Sequence, residues 1–231
     1  MSELGAVLFD MDGTLVDTEV LWWRTTEEVA DGLGHALTDA DAPEVVGRAV
    51  EDTAAHLVRA AGAGDAATVA AELTENFFCK VEAGAPMRPG ALGLLTGLAA
   101  QGVPFALVSA SPRVVVDSVV GGALARVPFA FTLSADDTPR TKPHPDPYRA
   151  AAERLGLAPR ECVAVEDSPD GAASAEAAGC GVLVVPSLLP VPPSPRRVFA
   201  RSLEEADAEL LRRCLAAANG GRAVSGRGGP S

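Results

Sequence analysis

The sequence predicts an α/β fold: a Rossmann-like parallel sheet with helices on both faces, plus an inserted all-helical cap domain. Three observations predict it. The first apolar run, Ala6-Val7-Leu8-Phe9, is short and continuous, as a strand covered on both faces requires. From residue 91 onward, helical and strand-like segments alternate in the manner of βαβ units. Between about residues 18 and 83 the spacing is helical throughout. With 48% hydrophobic but only 4% aromatic residues, the core is expected to be built from Ala, Val and Leu.

Taken in order, the strand at 6–9 closes on Asp10-Met11-Asp12-Gly13-Thr14. Helices follow at about 19–34, 49–61 and 66–81, punctuated by Gly32, Gly34, Gly62 and Gly64. Residues 84–90, with Pro86 and Pro89, read as the linker back to the core. A helix at 91–101 precedes a strand at 104–109, and a helix at 112–120 precedes a strand at 129–133. Asp146-Pro147 supplies an N-cap and a first-turn proline for the next helix. A strand at 162–165 runs into Glu166-Asp167-Ser168-Pro169, where another helix starts, and 182–185 reads as the last strong strand. The proline-rich stretch 186–195 is expected to be extended. Ser202-Leu203-Glu204-Glu205 has the pattern of a capping box opening a final helix to about residue 218. The division is therefore 1–16 and 85–218 for the α/β core, 17–84 for the helical cap, and a Gly- and Arg-rich tail, 219–231, expected to be disordered.

The formal net charge is -12, which argues against nucleic acid or an anionic membrane surface as partner. An anionic metabolite would need local cations. Only two of the 19 basic residues are lysines, Lys80 and Lys142, so each invites a question. Cys79, Cys162, Cys180 and Cys214 show no Cys-x-x-Cys or Cys/His spacing and read as reduced thiols. No apolar stretch reaches transmembrane length, and the first residues lack the pattern of a signal peptide, so a cytoplasmic enzyme is expected.

Active sites of open α/β sheets lie at the carboxyl ends of the strands, so the residues that end strands matter most. Here they are Asp10 and Asp12, then Ser109-Ala110-Ser111, then Thr141-Lys142-Pro143 ahead of the Asp146 helix, then Glu166-Asp167. Two carboxylates at the mouth of one strand repel each other unless a cation sits between them, which suits a divalent metal beside a nucleophile.

In this order and spacing the four segments resemble the four motifs of the haloacid dehalogenase (HAD) superfamily. Asp-x-Asp-Gly-Thr-Leu and Glu-Asp-Ser-x-x-Gly are the most diagnostic parts. The helical insertion directly after the first motif resembles the small caps of its phosphatase and β-phosphoglucomutase branch. The resemblance, over about residues 5–215, implies Asp10 as nucleophile and Asp12 as general acid and then general base. It implies Mg2+ held by Asp10, the backbone carbonyl of Asp12, and Asp167, with Glu166 a direct or water-mediated ligand. Ser109 would donate to a phosphoryl oxygen, although Ser109 or Ser111 could instead cap the next helix. Lys142 would neutralise phosphoryl charge and keep Asp10 ionised. Thr14, which would also support its loop, and Ala110 would bind substrate from the core, and Gly47 and Arg48, ending an apolar run in the cap, would contact it from the other side. The implied partner is a small phosphorylated metabolite such as a sugar phosphate, with the protein a monomer.

Three activities fit this pattern: a phosphatase, a sugar phosphomutase, and a non-catalytic domain binding phosphate and magnesium. The dehalogenases of the superfamily lack the second aspartate, and Asp12 is present. Its mutases carry a His on the first cap helix and an Arg three residues after the cap-loop glycine. The corresponding positions here read Trp22 and Val50, which favours the phosphatase. His144, between two prolines, reads as a loop residue. His35 and His56 lie in the cap without evident ligand partners and receive no role.

Overall fold

In the computed structural model the described residues are 4–46, 48 and 50–220. Strand β1 (Ala6–Phe9) is wholly buried, and the chain leaves it through a tight loop in which Leu15 and Val16 both donate to the Met11 carbonyl. The insertion follows: α1 (Thr18–Gly32), α2 (Ala42–Val45), α3 (Val50–Ala61) and α4 (Ala66–Gly84). The core then continues through α5 (Ala91–Ala100), β2 (Phe105–Val108), α6 (Arg113–Gly121), β3 (Thr132–Leu133) and α7 (Asp146–Arg154). Strand β4 (Cys162–Glu166), α8 (Pro169–Ala178), β5 (Gly181–Val184), β6 (Arg197–Phe199) and α9 (Ala208–Gly220) complete it.

All pairings in the six-stranded sheet are parallel, and the strand order is β3-β2-β1-β4-β5-β6. The order reverses at β1, which lies between β2 and β4, so the carboxyl ends of these three strands converge on one crevice. Alternation along each strand sends side chains to opposite faces. Val7, Phe9, Leu107, Val163, Val165 and Leu183 pack into one apolar layer, joined by residues of α5, α6 and α9. Ala6, Leu8, Ala106, Ala164 and Val182 pack on the other, against Ala151 and Ala152 of α7 and Ala172 and Ala175 of α8. The alanine-rich face lets these two helices lie close to the sheet, as the low aromatic content implies. Phe9, Phe105 and Phe129 form an edge-to-face chain, with centroids 6.1 and 5.5 Å apart, that fills the thicker layer.

The insertion has an apolar cluster of its own, built on Trp22, Val29, Leu57, Val69 and Leu73. Two strands of backbone join it to the core. They run side by side: Asp17 N–H donates to the Pro86 carbonyl, Arg88 N–H to Leu15, and the Arg88 guanidinium sits 3.2 Å from Asp17.

Several boundaries differ from the sequence reading. The short helix α2 and edge strand β6 were not anticipated, and the 129–133 strand narrows to two residues because Phe129 N–H turns back to Val127. Ser202 caps only a short 3-10 turn, Leu203–Glu205; Asp207 begins the last helix by accepting from Leu210 N–H. That helix runs through Asn219 and Gly220, two residues that the sequence reading gave to the tail, and the rest of that expected tail, 221–231, lies outside the described residues. Among the described residues no helix is long and apolar enough to cross a membrane.

Candidate active site

The crevice at the ends of β1, β2 and β4 opens into a cleft of about 620 Å³ between the sheet and the insertion. Asp10, Asp12, Lys142 and Asp167 line it from the core, with Arg48 and Trp22 facing them from the insertion.

Asp10 is the first residue past β1, tied to the neighbouring strand by its N–H to Val165. Its Oδ1 accepts a hydrogen bond from Lys142 Nζ at 2.6 Å, and its Oδ2 is buried with no hydrogen-bond partner among the described residues. The Lys142 ammonium also lies 2.7 Å from Glu166 Oε1 and 5.3 Å from the centre of the Tyr148 ring. Burial pulls the lysine pKa down, but the Asp10 and Glu166 charges outweigh it and leave it raised. The buried Tyr148 hydroxyl stays protonated, held so first by burial and then by the Glu166 charge, and donates to Glu166.

Asp12 occupies a different environment. Its Oδ1 accepts from the Thr18 hydroxyl at 2.8 Å, and its Oδ2 from Ser111 at 2.7 Å and Ser109 at 3.2 Å. Its pKa is nevertheless raised, chiefly by burial and next by the Asp10 charge, with the three hydroxyls opposing. The two carboxylates are therefore surrounded differently: Asp10 accepts from an ammonium, whereas Asp12 sits among hydroxyls and burial raises its pKa.

Asp167 is raised as well, foremost by burial and then by Asp10, and accepts from the Ser187 hydroxyl. Carboxylate oxygens of Asp10, Glu166 and Asp167 lie within 4.8 Å of one another. An orphaned, buried Asp10 oxygen beside a carboxylate that burial disfavours as an anion is the donor set a hard divalent cation fits. Glu166 is placed differently. Its Oε1 already receives Lys142 and Tyr148 and its Oε2 receives the Ser168 hydroxyl at 3.3 Å, so its lone pairs serve to position the lysine.

The remaining candidates separate. Ala110 and Arg48 line the cleft; the Arg48 Nε donates to the Pro43 carbonyl at 3.0 Å, which steers the side chain along the insertion. Gly47 lies outside the described residues. Thr14 is buried away from the cleft lining, with its hydroxyl lacking a hydrogen-bond partner among the described residues. Ser109 is buried behind Asp12, whereas Ser111 reaches both Asp12 and the cleft. Sequence reasoning gave Ser111 only a capping role and missed Thr18, Tyr148 and Ser187. Ser187 was findable, because it lies just beyond the end of β5, one strand further than the search for strand-end residues went. Tyr148 is the only tyrosine, six residues after Lys142, but its contact with Glu166 requires α7 to pack over β2 and β1, beside the strand that carries Glu166.

Gly13 tests the tightness of this arrangement. It sits at φ +77, and a methyl on it would overlap the Asp167 carboxylate and crowd Ser187. Gly13→Ala is expected to cost about 1–2 kcal/mol of stability through the left-handed backbone. By displacing Asp167 it should also lower kcat about 100-fold. Thermal unfolding and steady-state turnover of the purified variant check both; an unchanged kcat would show that Asp167 has room to move.

The chain is matched over residues 4–179 by the haloacid dehalogenase-like hydrolase family. It is 36% identical over 180 residues to hexitol phosphatase A of Escherichia coli (strain K12), covering 77% of this chain and 81% of that one. It is 33% identical over 196 residues to a phosphoglycolate phosphatase of Rhodospirillum rubrum, covering 78% of each. Its fold is similar to the crystal structure of a putative β-phosphoglucomutase from Thermotoga maritima, with a TM-score of 0.77 and 24% identity over 90% of this chain and 97% of that one.

Proposed function

This chain belongs to the haloacid dehalogenase-like hydrolases, and on that premise we propose that it is a magnesium-dependent phosphatase for a small phosphorylated metabolite, a sugar or polyol phosphate. The observation that carries the reading is the unequal treatment of two neighbouring carboxylates. Lys142 holds Asp10, while Asp12 sits among three hydroxyls with its pKa raised by burial and by Asp10.

In the proposed reaction Asp10 attacks the phosphorus, and the bond from phosphorus to the substrate oxygen breaks. Asp12 gives its proton to that departing oxygen, so the product leaves as an alcohol. Water then attacks the phosphorus of the aspartyl-phosphate while Asp12 takes a proton from that water, which breaks the bond to Asp10, returns Asp10 as a carboxylate and Asp12 as the acid, and releases inorganic phosphate. Lys142 neutralises charge on the phosphoryl oxygens, and the Ser111 hydroxyl, at the cleft lining, turns from Asp12 to donate to one of them once Asp12 carries its proton. Asp10, Asp167 and the Asp12 carbonyl would hold Mg2+, which when bound adds positive charge on the phosphoryl group. Residues 17–84 act as the cap, pivoting on the paired backbone at Asp17 and Arg88 to exclude water.

The name of the hexitol phosphatase relative supports a polyol phosphate, and the cleft agrees with it in kind. Trp22 offers a flat apolar face, and Arg48 and Glu19 offer polar groups for hydroxyls. The mutase reading loses support at the cleft wall, where Trp22 and Val50 stand. A second phosphate held in the cap would have, among the described cap residues lining the cleft, Arg48 alone to neutralise it.

The deciding assay is phosphate release from a panel of phosphomonoesters with and without Mg2+, including hexitol phosphates and a hexose 1-phosphate with its bisphosphate. Release that depends on Mg2+ supports the proposal; sugar isomerisation without phosphate release would replace it with the mutase. Asp12→Asn is expected to slow both formation and hydrolysis of the phosphoenzyme, each by about 10²–10⁴-fold. Rapid-quench labelling separates the two steps, and a defect in neither would remove Asp12 from its acid/base role.

A further inference from the structure

Two of the three histidines, given no role by the sequence, meet on one carboxylate in the insertion. Asp41 Oδ1 lies 3.2 Å from His35 Nε2 and 2.8 Å from His56 Nε2, and the three ligand atoms lie within 4.8 Å of one another. They come from three segments: His35 follows α1, Asp41 precedes α2, and His56 lies within α3. The second Asp41 oxygen is taken, since Oδ2 accepts from both the N–H and the hydroxyl of Thr38 at 2.9 Å. The carboxylate is thereby oriented with a single oxygen toward both rings, the kind of outer support that metal-binding carboxylates commonly have.

We propose that His35, Asp41 and His56 form a transition-metal site in the insertion, separate from the catalytic carboxylates and suited to Zn2+ or a similar borderline dication. For four tetrahedral bonds of about 2.0–2.1 Å to nitrogen and oxygen, neighbouring ligand atoms stand about 3.3–3.4 Å apart. The observed separations of 2.8 and 3.2 Å are close to that span, so entry of the ion needs small side-chain shifts. Against the Asp41 carboxylate each Nε2 carries the hydrogen; as the ion enters, each neutral imidazole changes to the tautomer with its proton on Nδ1 and gives its Nε2 lone pair to the metal, so no oxidant or other reactant is involved. Two nitrogens disfavour Mg2+, which prefers oxygen, so the two sites select different ions. The side chains are 22%, 10% and 17% exposed, leaving water access to complete a four-coordinate shell.

The position gives the site a consequence. Asp41 stands at the base of α2, whose far end is tied to α1 by Trp22 Nε1 donating to the Val45 carbonyl at 3.1 Å. The next residue, Val46, lines the cleft. A metal joining His35, Asp41 and His56 would fix the base of the segment that meets the substrate.

The experiment uses the untagged full chain, stripped of metal and then saturated with Mg2+ to fill the catalytic carboxylates. Titration with Zn2+ is expected to show one further ion per chain. X-ray absorption should find two imidazoles on it; this signature belongs to the cluster, because the third histidine, His144, stands alone beside Asp146 in the core. His35→Ala and His56→Gln should each weaken Zn2+ by at least about 100-fold. Neither residue lines the cleft, so retained phosphate release shows that the variants are folded. The proposal is overturned if wild type binds no Zn2+ under Mg2+, if the bound ion carries fewer than two imidazoles, or if the folded variants bind as wild type does. The last of these would leave the triad as a hydrogen-bonded staple.

Discussion

Asp10→Asn is expected to lower kcat by at least about four orders of magnitude while leaving the fold intact. The amide keeps the shape of the carboxylate but removes the nucleophilic charge, and no covalent phosphoenzyme should accumulate. The loss falls on kcat with KM little changed, because the substrate's polar contacts in the cleft lie elsewhere. The fold should survive because Lys142 keeps its second partner, Glu166, 2.7 Å away, so no charge is left buried alone. Acid-quenched labelling with a radioactive phosphomonoester reads the intermediate directly. A labelled protein in the Asp10→Asn variant would move the nucleophile to another residue.

Lys142→Met should be the variant that damages both activity and stability. The ammonium lies 4% exposed between Asp10 and Glu166, and removing it leaves two carboxylates facing each other in a dry pocket. Breaking a buried pair from one side costs about 3–5 kcal/mol, well beyond a surface pair. Turnover should fall by about 10³-fold or more through lost stabilisation of the phosphoryl charge. The deficit should depend on pH in a definite sense. Burial already raises Glu166 to about 7, with Lys142 holding it down, so without the lysine its pKa climbs further. The folded variant then holds a proton that the unfolded chain has released, and its stability falls more steeply than wild type as pH rises above 7. In wild type the lysine pKa is raised, so its own contribution is present below the ordinary lysine value and fades only above it. Chemical denaturation at several pH values from 6 to 9 measures this, and a deficit that stays flat or shrinks across that range contradicts the pairing.

The candidate cluster was legible early because its residues occupy strand ends, and strand ends are marked in the sequence. An apolar run that stops at Asp10, or at Glu166, carries its own coordinate: the sheet edge at which the side chain will stand. Alternation along β1, β2 and β4 then fixes which face each neighbour takes. Thr18, Ser111 and Tyr148 were not legible as site residues, since each owes its role to a partner from another element. The Ser111 hydroxyl needs Asp12 across the crevice, 99 residues away, and the Tyr148 hydroxyl needs α7 to lie over β2 and β1 to reach Glu166. The division of labour between Glu166 and Asp167 was equally hidden. Adjacent residues in a strand end point opposite ways, and only packing shows that Glu166 turns to the lysine while Asp167 faces the cleft.

By itself, then, the sequence determined the parallel α/β core, the place of the helical insertion, and the residues that end the strands. Local patterns suffice for these, because hydrophobic periodicity and turn chemistry act between near neighbours. The meeting of His35 and His56 on Asp41, the three hydroxyls around Asp12, and the choice of carboxylate for Lys142 were decided only by tertiary structure. Such contacts depend on how helices and loops far apart in the chain pack, and the directions their side chains then take are written in no local spacing.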